Sequence, residues 1–288
     1  SPGSAVLAMC QLEDCLAVVC ADGYLRCSYD GGVTWPFSQF LSNSQIHGVA
    51  ISGGGIMIAS TGGNGATVVS FDAGRTWETI NIQLAVFRGG WFDETTGRFW
   101  LCGADGGQYR AVWHSVDGIT WTEIISAAEG IFVDILAVGD DIFATAQISG
   151  AWVVFRNTIS GGGTIWAFLQ LGSHDGWADA PRFARWNGSV RIAIGTALWS
   201  SADLSTWTNA ATPIALSSFA TDGKVVSALG SEASGGNHVY YSRDQGATWK
   251  AVRVSPEGVT WVQTGATVSV WDDNTKCFRF SGWGPTRI

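Results

Sequence analysis

The sequence predicts an all-β fold, a seven-bladed β-propeller of four-stranded antiparallel blades. Three observations lead there. One short motif recurs along nearly the whole chain at an almost constant spacing. Short apolar strands separated by Gly-rich turns fill each interval. Trp and Gly are both abundant, at 16 and 38 of 288 residues, as a repeated packing aromatic and many tight turns require.

The motif is first met as Ser28-Tyr29-Asp30-Gly31-Gly32-Val33-Thr34-Trp35 and returns as Ser70-Phe71-Asp72-Ala73-Gly74-Arg75-Thr76-Trp77. A form one residue shorter runs Ser115–Trp121 and again Ser201–Trp207, and the long form closes at Ser242–Trp249. A degenerate copy spans Asn157–Trp166. The six Trp positions are separated by 42, 44, 45, 41 and 42 residues, the length of a four-stranded propeller blade. The residues after Trp249 hold three further strand-like segments, Val259–Gly265, Thr267–Asp273 and Lys276–Ser281, and make a seventh unit. The predicted units cover about 5–42, 46–84, 87–126, 131–171, 181–211, 215–254 and 258–288, in one domain of residues 1–288. In each motif the Ser and Asp side chains can bond turn amides, Gly takes the positive-φ position, Thr leads back into a strand, and Trp is expected to bury its ring between adjacent blades.

Composition narrows the partners. A formal charge of −8 with only three Lys (Lys224, Lys250, Lys276) lacks the clustered cations that nucleic acid or an anionic membrane would need. No apolar run reaches the length of a membrane span. Ser1-Pro2-Gly3-Ser4 has neither the basic nor the apolar region of a signal peptide; it reads as a cloning scar or a processed end. The six Cys (10, 15, 20, 27, 102 and 277) form no CxxC pair and mostly lie in apolar strand patterns. They are expected to be reduced, buried thiols rather than zinc ligands, consistent with synthesis in a reducing cytoplasm. Asp272-Asp273-Asn274 is read as an acidic turn rather than a calcium loop. No cofactor and no metal is expected.

The pattern S-x-D-x-G-x-T-W resembles that of the Asp-box (BNR-repeat) propellers. That superfamily includes sialidases, xyloglucanase-type glycoside hydrolases, sortilin-like receptors, a photosystem II assembly factor and sugar-binding lectins. The resemblance covers nearly the whole chain and implies the fold, and fold does not imply function. Sialidases are similar in the box but carry an F/Y-R-I-P motif, an arginine triad and six blades. Here the nearest strings are Phe87-Arg88-Gly89-Gly90 and Pro181-Arg182-Phe183, and seven units are counted. In Asp-box propellers the boxes lie on one face and binding sites usually on the other.

The opposite face is built by the loops leading into each innermost strand and those joining the second and third strands. The former supply His47, Arg88, Glu129 and Asp134. They also include Gly172–Arg182, which places His174, Asp175, Trp177, Asp179 and Arg182 within nine residues and is the longest irregular connection in the chain. Long loops on a rigid scaffold are where function concentrates. The latter supply Asp105, Gln108, Tyr109, Gln147, Glu232, Asn237 and His238. Trp177 beside Asp, His and Arg suits a sugar: the ring stacks on the C–H face while polar groups bond hydroxyls.

Three functions fit. The first is non-catalytic binding of a carbohydrate or cell-surface glycan, as by a lectin-like propeller or a phage tail or receptor-binding protein, virion-associated after cytoplasmic synthesis. Low Lys with high Gly and Trp resembles such virion proteins. The second is a glycoside hydrolase, sialidase-like or xyloglucanase-like, which would need two converging carboxylates such as Asp134 and Asp179. The third is a scaffold for virion or other proteins, marked by an exposed apolar patch.

Overall fold

A computed structural model describes residue 4 and residues 6–42, 48–61, 66–82, 86–105, 109–159, 167–173, 181–186, 188–212, 215–221, 226–231, 237–244, 246–253, 269–272 and 277–280. All regular structure among them is β-strand, so no helix is available to cross a membrane. The strands form six four-stranded antiparallel sheets and one two-stranded sheet, each a meander in chain order. The first sheet is β1 (Val6–Leu12), β2 (Cys15–Cys20), β3 (Tyr24–Ser28) and β4 (Phe37–Phe40). The second is β5 (Gly48–Gly53), β6 (Ile56–Thr61), β7 (Thr67–Ser70) and β8 (Glu78–Ile80). The third is β9 (Val86–Asp93), β10 (Arg98–Ala104), β11 (Tyr109–Ser115) and β12 (Thr122–Glu129). The fourth is β13 (Phe132–Val138), β14 (Asp141–Ile148), β15 (Ala151–Thr158) and β16 (Ala167–Ser173). The fifth is β17 (Arg182–Trp186), β18 (Ser189–Ile194), β19 (Ala197–Ser201) and β20 (Thr208–Ala211). The sixth is β21 (Ala215–Thr221), β22 (Val226–Ser231), β23 (Asn237–Ser242) and β24 (Lys250–Arg253), and β25 (Ser269–Asp272) pairs with β26 (Cys277–Phe280).

The chain divides into two compact units, Ser1–Ser173 and His174–Ile288. The first unit holds the first four sheets. Their first strands touch in succession, β1 to β5, β5 to β9 and β9 to β13. Second strands are buried on both faces: β2 reads Cys-Leu-Ala-Val-Val-Cys and β6 Ile-Met-Ile-Ala-Ser-Thr, with every residue after the first buried in β6. The fourth strands β4 and β8 are short, and β8 (Glu-Thr-Ile) is mostly polar and exposed. This gradient is what face-to-face stacking of sheets produces, since a strand covered on both sides needs a continuous apolar run. One apolar cluster joins Cys15, Val19 and Leu25 of the first sheet to Met57 and Val68 of the second. The next joins Ile51, Ile58 and Val69 to Phe99, Leu101 and Trp113 of the third. Another joins Trp100, Cys102 and Val112 to Phe132, Ile142 and Phe155 of the fourth. In the second unit Ala193 and Leu198 of the fifth sheet pack on Val226 and Ala228 of the sixth. Cys10, Cys15, Cys20, Cys27 and Cys102 are buried free thiols.

The five well-formed motifs all join a third strand to a fourth. In each, the Ser hydroxyl donates to the Asp two residues on, at 2.7 Å for Ser28 and Ser242, 2.8 Å for Ser70 and Ser115, and 3.1 Å for Ser201. The Asp carboxylate accepts the amide of the following Thr, at 2.8 Å for Thr34, Thr76 and Thr248 and 2.7 Å for Thr120 and Thr206. In the long form the Ser oxygen also accepts the Gly amide, 2.8 Å for Gly32 and Gly74 and 2.7 Å for Gly246. These Asp side chains are spent on the turn. The degenerate copy falls largely on residues 160–166, outside the described residues.

The position of the motif Trp departs from expectation. Trp35, Trp77, Trp121, Trp207 and Trp249 are half-buried. Trp77 and Trp121 lie over the edges of the inter-sheet clusters and donate Nε1–H to the carbonyls of Gly74 (3.0 Å) and Gly118 (3.1 Å). Among the described residues the fully buried indoles are Trp100 and Trp152, inside strands β10 and β15. A ring that follows a surface turn must stay near the surface to reach that turn's carbonyl.

The bonds to the motif carboxylates set an acid sensitivity. Asp30, Asp72 and Asp244 are held down at about 2, chiefly by the hydroxyls of Thr34, Thr76 and Thr248, and Asp117, chiefly by the Thr120 amide, is also at about 2. A carboxylate depressed in the fold stabilises it fully above its unfolded pKa, about 3.9, and that stability is lost as pH falls through the folded value. Stability is therefore expected to decline between about pH 4 and pH 2. Replacing several of these Asp with Asn should flatten that decline in an acid titration of tryptophan fluorescence. A wild-type profile level across this window would remove the turns as its cause.

Candidate ligand-binding site

In five of the six four-stranded meanders a Ser-x-Asp turn closes strands three and four at one end. Antiparallel order puts the start of the first strand and the loop between strands two and three at the opposite end. The residues singled out from the sequence divide sharply at that end. His47, His174, Asp175, Trp177 and Asp179 lie outside the described residues, as do Gln108 and Glu232. Arg182 opens β17, paired with Ala193; only its backbone is described. Arg88 and Asp134 are both described and half-buried, and they fall on neighbouring first strands that touch, β9 and β13.

The local cause of that arrangement is a pair of irregularities in the ladders. In β9 the register passes from Gly89↔Cys102 to Phe87↔Gly103, which leaves Arg88 as an extra residue. In β13 it passes from Phe132↔Ala146 to Asp134↔Thr145, which leaves Val133 extra. β1 does the same at Leu7, between Val6↔Cys20 and Ala8↔Val19, and β21 at Ser217, between Leu216↔Gly230 and Ser218↔Leu229. A bulge near the start of a first strand is thus a recurring device, and bulges turn a side chain out of the regular alternation. Gly89 completes the arrangement. A Cβ there would lie 2.8 Å from Asp134 Cα and 3.1 Å from Asp134 Oδ1, so only Gly lets the two strands approach with the carboxylate over the β9 backbone. A guanidinium and a carboxylate on adjacent strands provide donors and acceptors of the kind that hold sugar hydroxyls or a peptide backbone.

Asp105 has a different task. Its Oδ1 accepts the Tyr109 amide at 2.8 Å, and its own amide donates to the Tyr109 carbonyl at 2.9 Å, closing the hairpin between β10 and β11. Gln147 stands half-buried near the end of β14. Asn237 and His238 are the first residues of β23. Asp272 ends β25, and Asp273 and Asn274 lie outside the described residues. Among the described residues no group of three or more His, Cys, Asp or Glu is placed to hold a metal. Sequence reasoning passed over Arg110, a buried cation at this same end, beside Phe132 and Phe155. Its signal was legible: a lone charge at an inward position of the strand Tyr-Arg-Ala-Val-Trp-His-Ser.

Neither a family model nor a curated protein matches the chain. Solved structures do. The chain is similar to YCF48 bound to D1 peptide, with TM-score 0.60 and 15% identity over 86% of this chain and 80% of that one. It is similar to a GH74 enzyme of Niastella koreensis, with TM-score 0.65 and 14% identity over 98% of this chain; it spans only 52% of that enzyme. U3-55K matches with TM-score 0.60 and 9% identity over 87% of this chain. YCF48 and the GH74 enzyme are β-propellers with four-stranded antiparallel blades. At such identities the likeness speaks for fold alone, and with the stacked four-stranded meanders it makes this chain an all-β protein of the β-propeller fold.

Proposed function

We propose that the chain is a single seven-bladed Asp-box propeller that binds a carbohydrate or another cell-surface ligand without turning it over, in the manner of a lectin-like or phage receptor-binding protein. The observation that carries the reading is Arg88 at a bulge of β9, on the strand beside Asp134, which lies against Gly89. Both stand at the end of the sheets opposite turns whose own carboxylates are already committed. Arg88 and Asp134 are the hydroxyl-binding candidates of the first unit, with His47; in the second unit Trp177 is the candidate stacking ring, with His174, Asp175, Asp179 and Arg182 as candidate polar partners. The structural neighbours include an enzyme and a propeller bound to a peptide, so the fold serves either kind of task.

A glycan-array screen followed by cleavage assays on the same glycans tests the proposal. Binding without turnover is expected. Trp177→Ala and Arg182→Ala are each expected to weaken binding by about tenfold or more, a loss near 1.4 kcal/mol, with unfolding midpoints unchanged. Turnover would make the chain a glycoside hydrolase and direct attention to Asp134 and Asp179. Absence of any glycan binding would leave the scaffold for other proteins, and unchanged binding in both variants would take the loop of residues 172–182 out of the site.

A further inference from the structure

Arg110 is only 4% exposed. It is the second residue of β11 and shares a face with Val112, which belongs to the apolar cluster between the third and fourth sheets. Its guanidinium lies 4.8 Å from the Phe155 ring centroid and 5.9 Å from that of Phe132, and those two rings meet edge to face at 5.5 Å. Nε is sealed from solvent and has no hydrogen-bond partner. Among the described residues Arg110 has no ion pair either. A cation thus stands at the end of an otherwise apolar seam, where a Met or Leu would pack at less cost, because desolvating a charge is expensive. Two phenyl faces recover only part of that cost.

The backbone around it is shaped unusually. The β11–β12 ladder runs from Tyr109↔Glu129 to Ala111↔Ile125, so three residues of β12 bulge out opposite Arg110. The chain then turns through Gly130 at φ 124. A Cβ on Gly130 would sit 3.5 Å from Arg110 Nη1 and 3.7 Å from its Cγ. A larger side chain there would cover the tip of the guanidinium. The two terminal nitrogens carry the remaining donors, and Arg110, as the second residue of β11, lies at the end of the sheets that carries Arg88 and Asp134.

We propose that Arg110 is an anion-binding residue whose two terminal nitrogens, at the seam between the third and fourth sheets, take one carboxylate group of a ligand. A singly charged, planar carboxylate matches the guanidinium end-on through two parallel bonds. It also loses less solvation at an apolar seam than a doubly charged phosphate. The site uses none of residues 172–182 and holds whether or not they bind a glycan.

The test compares wild type with Arg110→Met, which keeps the stem between the two phenyl rings and removes the charge. Thermal unfolding is followed as acetate, glucuronate or uncharged glucose is added, with chloride holding ionic strength constant. Acetate and glucuronate are expected to raise the wild-type midpoint saturably, as a ligand of the native state must, and glucose not to. In Arg110→Met the apparent affinity for either acid is expected to fall by at least about tenfold, the loss of one charge-assisted contact. Equal responses to acetate and glucuronate would mark a site for any carboxylate, and a stronger response to glucuronate one for a sugar acid. Arg110→Lys serves if the Met variant does not fold, and it too should bind more weakly because it lacks the fork. No carboxylate response in the wild type, or the same response in wild type and variant, would overturn the proposal and leave Arg110 as packing between two rings.

Discussion

Replacing Trp100 with alanine is expected to cost about 3–5 kcal/mol of folding stability, the usual loss for a fully buried large aromatic. The indole is 0% exposed and lies in the cluster that cements the third sheet to the fourth, with the His114 ring 5.0 Å from it. No other side chain can fill the space it would leave, since its neighbours are held in two separate ladders. Its Nε1–H is buried without a partner, so Trp100→Phe removes an unsatisfied donor as well as volume and should lose clearly less than Trp100→Ala. Urea unfolding of the variants measures both. The same substitution at Trp77, which is half-buried over the edge of its cluster, should cost less than at Trp100. If the two alanine variants lose equally, burial between sheets is not what sets the stability of the first unit.

Gly23→Ala is expected to be comparably damaging, by about 2–5 kcal/mol. That range combines about 1–2 kcal/mol for a left-handed residue with a Cβ and about 1–3 kcal/mol for overpacking. Gly23 has φ 81 and sits in the turn before β3. A Cβ there would fall 1.8 Å from the Ser42 carbonyl oxygen and 2.9 Å from its carbon. Both are backbone atoms, and they cannot swing away. Gly23 accepts the amides of Leu41 (2.8 Å) and Ser42 (3.3 Å) and donates to the Cys20 carbonyl at 2.9 Å. The end of β4 is therefore tied to this turn. Gly55→Ala is the matched control: Gly55 has φ 84, and nothing lies within 4 Å of its would-be Cβ. It should lose only the conformational part, about 1–2 kcal/mol. Equal losses at the two positions would mean that the contact with Ser42 relaxes at no cost.

Much of the architecture was legible before any coordinates because its causes are local. A Ser-x-Asp turn makes its bonds within four residues, as between Asp30 and Thr34 or Ser70 and Gly74. Side-chain chemistry and spacing therefore dictate it without help from the rest of the chain. The alternation of short strands and Gly turns is local in the same sense, and repetition at a blade's length then implies meander after meander. By itself the sequence determined the all-β class, the four-stranded repeat and the structural use of the turn carboxylates.

Which indole would be buried, which glycine would meet a neighbouring strand and which rings would face Arg110 were decided by sheet stacking. Trp77 and Trp100 are both Trp in apolar company. Only the packing of the third sheet on the fourth makes Trp100 the interior one, while Trp77 stays at the surface to reach the Gly74 carbonyl. Gly89 resembles any strand glycine until β13 brings Asp134 to within contact of its backbone. Arg110 is one charged residue in an apolar strand until Phe132 and Phe155 close over it from the next sheet. Contacts between elements far apart in sequence depend on where whole sheets settle against each other. That is fixed by the sum of many small packing terms, and so it belongs to the tertiary structure alone.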